Sequence, residues 1–318
     1  MKAAAQGWSR RKFLRAATAT AGLWLAGRHL RAAPVERFRL GILTDEVSQD
    51  PEPALALMRD LNLNWVELRT VWGKHVIFLD SDERRELRDL LAKYRLFVSN
   101  IAAPTYKTTF PGTTPIAREE AEEYEPRVDQ EEILRRAIDT ARYFNVPQFR
   151  AFTFWRVADS ERPRVMPEIR EVLRRALKIA EHNGVSIVVE NEYTTNVATG
   201  AEVAEFIHSF ESPFLGVLWD PGNAVFAGEK SFREGYERIP KHRIYHLHLK
   251  DAVRDPQSGR YRWAVVGEGQ VDFVGQFTAL IKDGYRGTLS LETHLDQPTR
   301  EQASLASMRG VLHCIRKA

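Results

Sequence analysis

Short apolar runs alternate with longer amphipathic stretches from residue 38 onward, and few folds accept that pattern. The runs FRLGILTD (38–45), NWVELR (64–69), LFVSNIA (96–102) and PQFRAFTF (147–154) are followed by VSIVVEN, FLGVLWDP, IYHLHLKD and LSLETH. Each is strand-length and rich in β-branched or aromatic residues. Between them, PALALMRDL, ERRELRDLLAKY, EEILRRAIDTARYF, MPEIREVLRRALKIAEHN, GAEVAEFIHSF and VDFVGQFTALIKDG repeat Leu, Ile and Ala at the spacing of one helix face. Strands separated by helices imply a parallel sheet, because each parallel return needs a crossover. Eight such units predict an α/β fold of the (β/α)8 TIM barrel type. An open doubly wound sheet is the alternative, but no glycine-rich phosphate loop follows the first run. Residues 104–128, proline-rich and carrying the charged run REEAEEYE, read as a loop insertion after the third strand, either a lid or a surface excursion.

Residues 1–33 stand apart from this pattern. Ser9-Arg10-Arg11-Lys12-Phe13-Leu14 matches a twin-arginine secretion motif, and the mildly apolar AATATAGLWLAG follows it. That stretch is well short of the roughly twenty residues that span a bilayer. The expectation is a signal peptide over 1–33 that engages the export machinery and directs a single domain, 34–318, to the periplasm. Ala32 or Ala33 suits a cleavage point, while Leu30 and Arg31 are poor small-residue neighbours, so an uncleaved membrane tether stays open.

Setting that segment aside reverses the charge balance. It holds seven of the 46 basic residues and no acidic one, so the remainder has 39 basic against 43 acidic side chains, about −4. Such a domain lacks the basic footprint of a nucleic-acid binder. The single cysteine, Cys314, forms no internal disulfide, so stability must come from the core.

Four residues close the last four runs: Glu190, Asp220, His248 and Glu292, spaced by 30, 28 and 44 residues. Carboxylates with an imidazole, delivered from successive strand ends to one barrel mouth, are the parts of a divalent-metal site. Each has a plainer reading. Asp220 before Pro-Gly is by itself a turn former, and Glu190 at a buried sheet edge needs only a structural partner. His246 and His248 share one face of their strand by alternation. Four coincidences at four consecutive strand ends favour the metal. Glu67, Arg69, Lys74, His75, Lys107 and Lys250 are polar candidates around the mouth, with Lys250 and Asp251 also able to pair together. Trp72, Phe154 and Trp155 are candidates to stack on a ligand face or to pack the rim.

From Arg39 to the C-terminus the chain resembles the xylose isomerase-like barrel superfamily, in particular its sugar phosphate isomerase/epimerase branch. Glu190-Asn191, Asp220, His248-Leu249-Lys250-Asp251, Gly267-Glu268-Gly269-Gln270-Val271-Asp272-Phe273 and Glu292 carry the resemblance. It implies one divalent ion on Glu190, Asp220, His248 and Glu292, with His246 the second candidate for the imidazole. Manganese is the first choice, with magnesium, cobalt and zinc as alternatives. By the same resemblance Glu190 and Glu292 move a proton next to a carbonyl, and Arg254, six residues after His248, holds a substrate oxygen.

Two positions depart from the related ketose epimerases, which carry a His and a Glu where this chain has Asn223 and Asn196. Both asparagines keep hydrogen bonding but lose proton transfer. The resemblance implies isomerisation or epimerisation of a non-phosphorylated sugar or keto-sugar through its enolate, and these two departures open β-elimination from a keto-sugar or 3-keto-glycoside as the alternative. Asn223, His246, Lys250, Glu67 and His75 join Arg254 as expected substrate contacts. A noncatalytic exported sugar binder is the third reading, and an oligomer is compatible with all of them.

Overall fold

The computed structural model describes residues 37–117, 128–296 and 298–318 of the chain. The expected signal peptide and part of the 104–128 loop lie outside them. The eight apolar runs form eight strands: β1 (Arg39–Ile42), β2 (Trp65–Leu68), β3 (Phe97–Thr105), β4 (Gln148–Ala151), β5 (Ser186–Glu190), β6 (Leu215–Trp219), β7 (Ile244–Leu249) and β8 (Thr288–Leu291). Hydrogen bonds run in parallel from β2 through β3, β4, β5, β6, β7 and β8 to β1. The last seam, between β1 and β2, is joined by a parallel bridge of Leu43 with Glu67. Glycine permits that seam, since a Cβ on Gly41 would stand 2.9 Å from the Trp65 carbonyl oxygen. The result is the expected eight-stranded parallel barrel.

The outer layer follows from the amphipathic stretches. Its helices are α1 (Pro51–Asp60), α2 (Ser81–Tyr94), α3 (Gln130–Tyr143), α4 (Arg162–His182), α5 (Gly200–His208), α6 (Pro221–Phe226), α7 (Phe273–Lys282) and α8 (Arg300–Lys317). In α4, Val165, Ile169, Leu173, Ala176, Leu177 and Ala180 form the buried stripe. Asp80 and Glu83 form a capping box at the start of α2, and Thr199 with Glu202 forms another on α5; such a cap contributes about 1 kcal/mol. No helix among the described residues is long and apolar enough to cross a membrane.

Residues 104–117 are fastened to the barrel. The carbonyls of Thr105, Tyr106 and Thr108 accept the N–H groups of Phe152, Phe154 and Trp155, and Ile116 donates to Arg156. This part of the expected insertion therefore edges the mouth, with Pro104 and Lys107 facing the cavity there.

Candidate active site

The barrel brings the four strand-end residues together. One ligand atom from each of Glu190, Asp220, His248 and Glu292 lies within 4.8 Å of the others, and all four side chains are buried. His248 Nδ1 is 3.2 Å from both Glu190 Oε1 and Glu292 Oε2 and 3.7 Å from Asp220 Oδ2. Asp220 satisfies both of its readings at once. Its Oδ1 caps α6 by accepting the Asn223 N–H at 2.9 Å, while Oδ2 pairs with the Lys250 ammonium 2.9 Å away. Gly222 lets the helix approach β7 this closely, because a Cβ there would stand 2.5 Å from the Lys250 carbonyl oxygen.

Beneath these four side chains lies a second buried layer. Glu67, at the end of β2, receives His246 Nε2 at 2.7 Å and His248 Nε2 at 3.2 Å, and Asn100 donates to it at 2.8 Å. His246 Nδ1 reaches Thr288 Oγ1 at 2.8 Å. His248 thus has one ring nitrogen against a supporting carboxylate and the other free to meet the cluster, the arrangement that orients metal-binding imidazoles.

Cations from both halves of the barrel hold the carboxylates. Arg150 Nη1 donates to Glu190 Oε2 at 2.9 Å, and its other nitrogens reach the Ala102 and Ala103 carbonyls. Arg69 reaches Asp45, Glu46 and Glu292 together, and Lys250 Nζ lies 2.6 Å from Glu292 Oε2. Burial works to raise Glu190, yet Arg150 and His248 hold it down at about 2. For Glu292, burial is likewise outweighed, by Lys250 and then His248, and its pKa falls well below the usual range. Burial opposes charge on His248, but Glu67, Glu292 and Glu190 raise it well above its ordinary value. Glu192 is pushed up by burial, with Lys107 and Lys250 opposing.

This donor set fits a divalent ion. Seven carboxylates are buried here, those of Asp45, Glu46, Glu67, Glu190, Glu192, Asp220 and Glu292. Four cationic side chains approach them: Arg69, Lys107, Arg150 and Lys250. Three carboxylate oxygens converge on an Nδ1 that carries at most one proton. Three oxygens and one nitrogen suit manganese, magnesium, cobalt or zinc.

Above the cluster opens a cavity of about 560 Å³. Glu292 lines it and Glu190 does not, so the two glutamates expected to share proton transfer are placed unequally. Among the six expected substrate contacts, His75 alone lines the cavity. Glu67, His246 and Lys250 are fully buried, drawn down by the carboxylates and imidazoles they pair with. Asn223 is engaged by Glu190 and the Asn191 carbonyl. Arg254 is exposed on a hairpin that pairs Asp251–Arg254 with Tyr261–Ala264, its Nε bound to the Gly259 carbonyl. Asn196 donates to the Thr153 and Trp155 carbonyls and so ties loops together. Lys250 and Asp251 do not pair, since Asp251 accepts backbone N–H groups of Gly267, Gly269 and Val271.

Several cavity groups carry no strand-end signal. Glu46, Arg150, Glu192, Tyr193 and Trp263 all line it. For Arg150 the signal was an arginine inside the apolar run PQFRAFTF. Phe154 packs between Tyr106 and Phe110, and Trp72 against the core. Trp155 lines the cavity while only 1 % exposed.

Known proteins share this architecture. The inosose dehydratase of Bacillus thuringiensis (strain Al Hakam) is 23% identical over 261 residues, covering 77% of this chain and 75% of its own. The crystal structure of the IOLI protein with a zinc atom superposes with a TM-score of 0.68 at 17% identity, covering 88% of this chain and 99% of the other. A D-tagatose 3-epimerase-like protein gives 0.64 at 17% identity, with 88% and 99% covered. The family model described as xylose isomerase-like TIM barrel matches residues 55–313. With the barrel closed and the four candidate ligands at its mouth, the chain belongs to the xylose isomerase-like TIM barrel family.

Proposed function

We propose that this protein is a divalent-metal-dependent enzyme that enolises a carbonyl in a non-phosphorylated sugar or cyclic keto-polyol and then expels an oxygen substituent β to that carbonyl. The observation that carries this reading is the convergence of Glu190, Asp220, His248 and Glu292 within 4.8 Å below an open cavity. A divalent ion held by those four supplies a Lewis acid, which lowers the cost of enolisation. Glu292 faces the cavity and removes the proton next to the carbonyl, leaving the C–H electrons in the enolate. Those electrons then form the new double bond as the β carbon–oxygen bond breaks, and the proton on Glu292 passes to the departing oxygen. Arg69 and Lys250 hold Glu292 at its post throughout.

The unequal placement of the glutamates supports elimination. Epimerisation needs a second proton-transfer group on the opposite side of the carbon, and Glu190 lies outside the cavity lining, bound to Arg150 and Asn223. The dehydratase relative agrees with this direction. Isomerisation or epimerisation is the second reading, favoured by Glu190 being the other ligand glutamate, and it shares every step to the enolate. Product mass separates the two when metal-loaded protein meets keto-sugars and keto-glycosides. Loss of water or of an aglycone is expected, and an unchanged mass with altered sugar identity would reverse the assignment. Export by the twin-arginine route belongs to the same proposal. Cell fractionation with intact-mass analysis should find the protein in the periplasm, and a purely cytoplasmic full-length chain would remove that part.

A further inference from the structure

The cavity has two unlike sides. Its floor is charged, but one wall is aromatic. Tyr193, from the connection after β5, and Trp263, from the hairpin after β7, both line it. Phe226, ending α6, stacks on Trp263 with ring centroids 3.9 Å apart and 28° between planes, and lies 4.8 Å from the Tyr193 ring. Tyr261 adds a fourth ring 5.5 Å from Phe226. These rings come from three separate strand-end connections, and all four stay partly exposed.

The wall is mounted rigidly and starts beside the chemistry. At the base of its hairpin, Asp251 accepts the N–H groups of Ala252, Gly267, Gly269 and Val271 at 2.9 to 3.1 Å. At the tip, Arg254 binds the Gly259 carbonyl. The Trp263 ring centroid is 4.9 Å from Lys250 Nζ, which itself contacts Glu292. Room remains beyond one sugar. The cavity, about 560 Å³, falls within the roughly 300–1,000 Å³ of pockets that enclose drug-sized ligands, which are larger than one monosaccharide.

The geometry points to a second subsite at this wall, which takes a flat ring joined to the reacting sugar through a glycosidic oxygen. The substrate class is then a keto-glycoside with a ring aglycone. Aromatic side chains match both the π face of an aryl group and the C–H face of a second pyranose. The assignment rests on the enolisation reading for the orientation of the sugar.

Calorimetry on manganese-loaded protein compares methyl β-D-glucopyranoside, phenyl β-D-glucopyranoside and cellobiose. Deuterium exchange next to the carbonyl of methyl 3-keto-β-D-glucopyranoside is followed in parallel. At least one ring-bearing glycoside is expected to bind about five- to tenfold tighter than the methyl one, and the tighter of the two names the ring. Tyr193→Leu should bring the ratio below about twofold, while Tyr193→Phe, which keeps the ring, should preserve it. Equal affinities for all three glycosides, or a preference that survives Tyr193→Leu, overturns the subsite. Ring preference without exchange leaves the wall standing and removes the enolisation reading instead.

Discussion

Strands β5 to β8 deliver the four candidate ligands, each within two residues of a strand end, whereas β1 to β4 deliver side chains that hold those ligands in place. Glu190, Asp220, His248 and Glu292 are positioned by the end of their own strand. Arg69, just past β2, instead reaches Glu292, and Arg150 reaches Glu190 on the neighbouring strand, while Glu67 of β2 pairs with His248 of β7. The second half supplies the candidate ligands with Lys250 as one countercharge, and the first supplies the remaining cations and the carboxylate behind His248. Substitutions of the candidate ligands should therefore remove turnover or metal binding with the fold intact, and those in the first half should lower stability or only weaken metal affinity.

The largest effect is expected at the boundary between the two. Glu292→Gln removes the proton acceptor that faces the cavity, and kcat should fall roughly 10²- to 10⁴-fold with little change in KM. Unchanged turnover would take Glu292 out of the mechanism. Arg150→Met leaves Glu190 buried without its guanidinium, which costs about 3–5 kcal/mol of stability. Denaturant melts read that loss, and a variant as stable as wild type would dissolve the distinction between the halves.

Subtler effects should follow at Glu67 and His75. Glu67→Gln weakens the hold on His248 from below, and divalent-ion affinity should drop about 10- to 100-fold by calorimetry, with ligand number unchanged. His75 tests the first half without touching a ligand. Its Nε2 bonds the Ala102 carbonyl and Nδ1 accepts from Ile77, and burial lowers its pKa to about 4. Folding therefore favours neutral His75. Its contribution is complete above the unfolded value of 6.5 and is lost as pH falls from there toward about 4. The thermal midpoint should decline across that window, and His75→Gln should flatten the decline; an identical slope in the variant would assign the pH dependence elsewhere.

The same contrast separates what was legible in the sequence from what was not. Strand existence and ligand convergence follow from period and register, which are local. Alternation along IYHLHLKD places His246 and His248 on one face, and the structure puts both inward against Glu67. Asp220 showed only half its role as a turn former, because one carboxylate oxygen caps α6 while the other faces the cluster. Long side chains were harder to read. Lys250 has Asp251 as its neighbour in sequence yet turns to Asp220 and Glu292, since Asp251 is held by the backbone of a glycine-rich loop. Arg254 has a suggestive spacing from His248, but the hairpin that carries it turns its guanidinium to Gly259. The aromatic wall gave no sequence signal, because Tyr193, Phe226 and Trp263 are far apart in the chain and meet only when the strand-end loops close over the mouth.

Metal stoichiometry tests the central claim most directly. Protein stripped with chelator and titrated with manganese and with zinc should bind one divalent ion per chain. The same titration on Asp220→Ala and Glu190→Gln should show binding lost or weakened by orders of magnitude while circular dichroism stays native. Absence of divalent binding in the wild type, or binding that survives both substitutions, would contradict a metal centre at these four strand ends.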